Sequence, residues 1–150
     1  MMNRGIYIGY KGTIEAYIYI WFSKATGFVY VGETKNIRGV IGRAVQHVTN
    51  ETGTLYNRIY DKGYDINQIE DFVLLSYPLP REKRFLSEET SFRISVEYLV
   101  QKKLLERRKD QDKPYKIVSN VTPGPFVNLA IIQKLSDEIV KDFIDIYEKA

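Results

Sequence analysis

Tyr17-Ile-Tyr-Ile-Trp-Phe22, Ser23-Lys-Ala-Thr26, Gly27-Phe-Val-Tyr-Val-Gly32: this stretch decides the fold. Aromatic and β-branched residues flank a short polar break, the pattern of two strands joined by a hairpin turn. A four-residue loop from Ser23 to Thr26 pairs Phe22 with Gly27 and sets Tyr19 directly opposite Tyr30. Cross-strand partners project from the same face of a sheet. The hairpin is therefore expected to hold two phenols side by side.

Further along stand Arg43 and His47, four residues apart and so on one face of the helix expected there. Two phenols, a guanidinium and an imidazole make a poor packed core and a good set of groups for phosphate chemistry. Charge points the same way. Between Lys35 and Asn50 the chain carries Lys35, Arg38 and Arg43 and no acidic residue. Lys102, Lys103, Arg107, Arg108 and Lys109 form a second basic cluster, and Arg81, Lys83 and Arg84 a third. Such clusters bind phosphates by releasing counterions, although a basic helix face is also ordinary solvated surface.

These residues resemble the GIY-YIG nuclease superfamily, in the manner of a small standalone or restriction-like member. Tyr17-Ile18-Tyr19 stands where the family has its first tripeptide, and Tyr30-Val31-Gly32 where it has its second. Gly32-Glu33-Thr34 is similar to the usual continuation, and Arg43-Ala-Val-Gln-His47 to the helix that follows. Glu97, in Ser95-Val-Glu-Tyr-Leu99, resembles the metal-binding glutamate, and Pro125-Phe-Val-Asn128 the late asparagine motif, with Asn120 its competitor. Each tripeptide alone is unspecific; the ordered set from Ala16 to Leu129 is specific. Three features depart from the family pattern. Tyr17 replaces the leading glycine. Gly39 and Gly42 disfavour helix before Arg43 and read as a loop insertion. The stretch from Glu97 to Asn128 is long. A literal Gly5-Ile-Tyr-Ile-Gly9 overlaps both tripeptides but contains no turn, so residues 1–15 read as an arm or extra strand.

The resemblance implies a metal-dependent endonuclease that hydrolyses DNA by a one-metal mechanism. Glu97 would bind Mg²⁺ or Mn²⁺, a hard ion that keeps most of its waters. Arg43 would neutralise transition-state charge through paired N–H bonds that lysine cannot copy. Tyr19, Tyr30 and His47 would share the proton transfers, with Tyr19 the candidate base and Asn128 orienting its neighbours. Phenols titrate near pH 10, so a tyrosine base needs positive charge beside it. Gly32, Lys35, Arg38, Lys102 and Lys103 are the residues expected to contact nucleic acid.

Size and composition set bounds. At 150 residues, 44% hydrophobic and 27% charged, one soluble globular domain is expected. The net charge of +3 is too small to argue for nucleic acid by itself. With no cysteine, disulfides, thiol catalysis and Cys-rich zinc modules are excluded. No apolar run is long enough for a membrane helix and no signal peptide is evident, so a cytoplasmic, intracellular protein is expected. The expected partners are DNA and, to enlarge the reading surface, a second copy as a homodimer; no membrane and no small-molecule cofactor are expected.

Beyond His47 the pattern predicts a helix from Thr54 to Tyr60, a third strand over Ile69–Leu75, and a long helix to Arg107 capped by Ser87-Glu-Glu-Thr90. Phe92, Val96, Leu99, Val100 and Leu104 form its apolar stripe, with Glu97 beside it. Residues 110–125 read as a loop, and a final helix runs from Leu129 to Glu148 on a stripe of Ile132, Leu135, Ile139, Phe143 and Ile146. The sum is an α+β fold: a small three-stranded antiparallel sheet flanked by helices. Taken singly, Tyr19, Tyr30, His47 and Glu97 are packing or surface residues; only their joint order argues for catalysis. The competing function is a non-catalytic nucleic-acid-binding module on the same fold, and a protein-interaction domain ranks third.

Overall fold

Strand alternation sorts the hairpin into two chemically different faces, and helices cover both. The structure is a computed structural model describing residues 16–35, 54–87, 89–111 and 114–150. Strands β1 (Tyr17–Ser23) and β2 (Phe28–Thr34) form the hairpin; helix α1 (Thr54–Asp61) leads through a short 3-10 turn at Ile66–Gln68 to β3 (Phe72–Pro78). One-turn helix α2 (Lys83–Leu86), helix α3 (Ser91–Arg107), two-residue strand β4 (Lys116–Ile117) and helix α4 (Ala130–Lys149) follow. The sheet order is β3-β1-β2-β4.

The α+β architecture agrees with the sequence reading, with one addition and one change of register. The sheet has four strands, because β4 pairs in parallel with β2 at its hairpin end. In the hairpin, Phe22 pairs with Val29, Trp21 with Tyr30 and Tyr19 with Gly32. The loop is Lys24 to Gly27, one residue later than expected, which slides the pairing by two. The cause is local. Gly27 sits at φ +76, a conformation that suits glycine, and its amide bonds back to the Ser23 carbonyl at 2.8 Å. Gly27 therefore ends the turn and cannot open the strand. Because side chains alternate with period two, a two-residue slide leaves both phenols on the same face.

Asp71 at the start of β3 fastens this turn. The Ser23 hydroxyl donates to one carboxylate oxygen at 2.6 Å and the Ala25 amide to the other at 2.8 Å. Burial pushes the Asp71 carboxyl up, but these bonds together hold it below its ordinary value. Lys24 reaches across to the end of α4, donating to the Tyr147 carbonyl at 2.5 Å and lying 4.0 Å from the centroid of that ring.

Ile18, Ile20, Phe22, Val29 and Val31 face α3 and α4, where Val96, Leu99, Val100, Leu104, Ile132, Ile139 and Phe143 complete the main core. Tyr115 is fully buried here and donates to the Leu104 carbonyl at 2.5 Å; burial pushes its pKa up to about 12. The final helix buries Tyr147 as well as the expected stripe, with Ile146 only partly covered. The opposite face carries Tyr17, Tyr19, Phe28, Tyr30 and Leu74 under Leu55 and Ile59 of α1, with Ile66 and Val118 at the margins.

Three boundaries differ from expectation. The third strand ends on Pro78, three residues later, because a proline at a strand end gives up no ladder bond that the sheet needs. The long helix starts at Ser91, and its capping acid is Glu89, which accepts from the Ser91 amide at 2.9 Å and hydroxyl at 2.6 Å. Residues 110–125 include β4, whose backbone continues to track β2. The arm at 1–15 and the expected helix around Arg43 and His47 lie outside the described residues.

Candidate active site

Tyr19 and Tyr30 come together as the sequence predicts. Their rings stack with centroids 6.4 Å apart and planes 20° from parallel. They meet on a diagonal, since Tyr19 lies in a row between Ser76 and Gly32, and Trp21 between Leu74 and Tyr30. Small neighbours on both sides give the Tyr19 ring room. It uses the Gly32 side: a Cβ at Gly32 would overlap Cζ and Oη of Tyr19. Gly32 has no left-handed backbone, so glycine stands there to provide space. The tyrosine of the first tripeptide thus explains the glycine of the second.

Glu97 approaches from the other side of the sheet. It belongs to α3, and Arg93, Glu97 and Gln101 follow one line along that helix at one-turn spacing. Both outer members are tied to β2. Arg93, with its side chain 3% exposed, donates Nε to Glu33 Oε2 at 2.8 Å and Nη1 to the Phe85 and Ser87 carbonyls at 2.8 Å each. Gln101 accepts from the Ser119 hydroxyl at 2.7 Å, and that oxygen accepts from the Val31 amide at 3.0 Å. Glu97 is half-buried and lies between these two ties along the helix. The helix of Glu97 thus covers the aliphatic face of β2, while the phenols occupy the opposite face. Glu33 stood in the sequence reading only within Gly32-Glu33-Thr34 and Arg93 not at all; the one-turn offset of Arg93 from Glu97 is the signal that could have found the pair.

The two asparagines are placed very differently. Asn128 is exposed in the turn before α4, and this turn is fixed to α3 through the Phe126 amide on Ser95 Oγ at 3.1 Å and through Phe126 stacked on Phe92 at 4.4 Å. Ser95 lies roughly 200° around the helix from Glu97 by α-helical geometry, so Asn128 is not brought to the Glu97 line. Asn120 follows β4, where the Val118 amide bonds to the Val29 carbonyl at 2.8 Å and Ser119 serves Val31. The chain is heading along β2 toward Gly32, with Val118 packed on the phenol face.

Of the expected nucleic-acid contacts, Gly32 is buried beneath Tyr19, Lys35 is half-buried just past β2, and Lys102 is exposed on α3. Lys103 is engaged by α4, donating to Asp137 at 2.6 Å, Ser136 at 2.8 Å and Gln133 Oε1 at 3.1 Å. Arg38, Arg43 and His47 lie outside the described residues. No group of three His, Cys, Asp or Glu side chains able to hold a metal occurs among the described residues. Glu33 is occupied by Arg93, so a divalent ion at Glu97 would have one protein carboxylate and would need water and substrate oxygens at its other positions.

Stacked phenols on a glycine, followed by a helix carrying Glu97, are matched by one family model. The GIY-YIG catalytic domain aligns with residues 15–103. The chain belongs to the GIY-YIG nuclease superfamily. The aligned region covers more than half of the chain and includes both tripeptides and Glu97, while Asn120 and Asn128 lie beyond it. Neither a curated protein nor a solved structure matches the chain. Tyr17, which replaces the leading glycine of the GIY-YIG pattern, is 1% exposed on the phenol face. No helix among the described residues is long and apolar enough to cross a membrane.

Proposed function

We propose that the protein is an endonuclease that hydrolyses DNA phosphodiester bonds with one Mg²⁺ or Mn²⁺ ion held by Glu97. The observation that carries this reading is the seating of the Tyr19 ring on Gly32, stacked on Tyr30, in a strand to which the helix of Glu97 is tied through Arg93 and Glu33. The bound ion supplies positive charge for the phosphoryl oxygens.

The protein's own groups then divide the remaining work. Tyr19 accepts the proton of the attacking water, Tyr30 fixes the Tyr19 ring by stacking, and His47 relays a proton. Arg43 holds the non-bridging oxygens through its fork of N–H donors. Of the two asparagines, Asn120 is the better placed to orient these groups, because it lies on the phenol side of β2.

The test is incubation of supercoiled plasmid with the protein and Mg²⁺ or Mn²⁺, followed by electrophoresis. Wild type is expected to nick or linearise the plasmid. Glu97→Ala and Tyr19→Phe are each expected to slow this at least about 100-fold, the usual loss when one transition-state contact is removed. Cleavage that persists in EDTA, or an unimpaired Glu97→Ala variant, overturns the mechanism. DNA binding without cleavage by wild type would establish the non-catalytic alternative.

A further inference from the structure

Arg58, on α1, has a cation's chemistry and, among the described residues, no anion to serve. Its neighbours Leu55 and Ile59 are fully buried against Tyr17, Tyr19, Phe28 and Tyr30, so the helix places Arg58 over the phenol face of the sheet. The Arg58 Nε atom is buried and has no hydrogen-bond acceptor, and no carboxylate pairs with this side chain among the described residues. Its two terminal nitrogens converge on one neutral group. With its oxygen turned toward them, the Asn120 amide accepts from Nη1 at 3.0 Å and from Nη2 at 3.1 Å. Asn120 itself is exposed, so this fork opens to solvent.

A guanidinium presents five N–H donors in a planar fork that fits a carboxylate or a phosphate. A single amide oxygen shared by two donors satisfies it poorly, and a half-buried arginine kept without an anion is costly unless one arrives. A purely structural arginine is expected to sit as Arg93 does, with a carboxylate and two carbonyls distributed over its donors. The position is also informative: Asn120 follows the segment that tracks β2 toward Gly32, the strand edge where the Tyr19 ring is seated.

We propose that Arg58 and Asn120 form a phosphate-holding pair for the nucleic-acid substrate, which adds Arg58 to the residues assigned above and gives Asn120 a second role. A backbone phosphate takes the place of the Asn120 oxygen on the Arg58 fork, and Asn120 keeps the fork extended until the substrate arrives. The proposal rests on the nuclease reading and extends it to how the strand is held.

The test is the salt dependence of duplex binding, measured by fluorescence anisotropy with a labelled 30-base-pair DNA and Ca²⁺ in place of Mg²⁺. Each phosphate contact contributes a slope of about 0.9 to the fall of log affinity with log salt. Arg58→Gln is expected to lower the slope by about 1 and weaken binding about tenfold in 100 mM salt, and Arg58→Lys to retain the slope. Should Arg58→Gln fail to fold, Asn120→Asp leaves Arg58 in place and gives its fork a built-in carboxylate. That variant is expected to melt no lower than wild type and to bind at least tenfold more weakly. Wild-type slope and affinity in folded Arg58→Gln, or wild-type affinity in Asn120→Asp, overturns the pair. Wild-type protein that neither binds nor cuts DNA overturns the nuclease reading, and the pair with it.

Discussion

The two faces of the hairpin share a backbone and differ in everything else. Toward α3 and α4 it presents Ile18, Ile20, Phe22, Val29 and Val31, aliphatic or aromatic with no polar atom among them. Toward α1 it presents Tyr17, Tyr19, Trp21 and Tyr30, each with a polar tip, together with Phe28, around a glycine. One face can be optimised for packing alone. The other must keep hydroxyls in register at a strand edge, and it tolerates buried donors without acceptors at Trp21 Nε1 and Arg58 Nε. Alternation along a strand thus lets neighbouring residues answer to stability and to chemistry separately.

The sharpest way to break that comparison is to change one residue on each face. Ile20→Ala should lower stability by about 3 kcal/mol, as core truncations do, while cleavage per folded molecule stays within about twofold of wild type. Tyr19→Phe, its neighbour, should cost about 1 kcal/mol and lose cleavage. Matching urea melts with single-turnover rates checks both. Equal activity losses in the two variants would show that the faces are not separable.

Next in size is the tie between the faces. Arg93→Met leaves Glu33 without its partner and should cost about 3 kcal/mol, the usual loss when one half of a buried pair is removed. Because the same tie fixes α3 on β2, the Mn²⁺ concentration for half-maximal cleavage should also rise. Gly32→Ala follows: overpacking against the Tyr19 ring should cost about 2 kcal/mol and shift the tyrosine fluorescence, whereas Gly63→Ala, in an open turn at φ +88, should leave the site unchanged.

The smallest expected effects depend on pH. The Asp71 carboxyl is held below its ordinary value, so its stabilisation is complete above the usual carboxylate range and is lost as pH falls through the depressed value. Asp71→Asn should therefore flatten the acid limb of a stability-against-pH curve and cost about 1 kcal/mol near neutrality. Tyr115 behaves oppositely. With its pKa raised to about 12, its contribution is intact below pH 10 and lost as pH climbs toward 12. Tyr115→Phe should blunt alkaline unfolding over that window, read by circular dichroism.

Much of this arrangement was legible in the sequence, and the failures have physical causes. Period-two alternation found the two strands and the shared face of Tyr19 and Tyr30, because that signal is local. The register was misread by two residues, because Gly27 serves a positive-φ turn and composition does not distinguish a turn glycine from a strand glycine. Strand β4 was invisible: two residues in a polar stretch carry no periodicity, and their pairing with β2 is wholly non-local. The stripe on α3 was readable, so Glu97 could be placed beside it. The ties at Arg93 and Gln101 depend on partners 60 and 18 residues away, beyond any spacing rule. Asn120 and Asn128 could not be separated for the same reason.

Lys24 has one more consequence. Its amine grips the backbone and ring of Tyr147, 123 positions later in the chain. During synthesis from the amino end, the hairpin therefore emerges long before the residue that clasps its tip, and its apolar side is only partly covered, by α3, until the last helix arrives. Closing so long a loop is slow, so the tip of the hairpin is expected to be clasped late in folding.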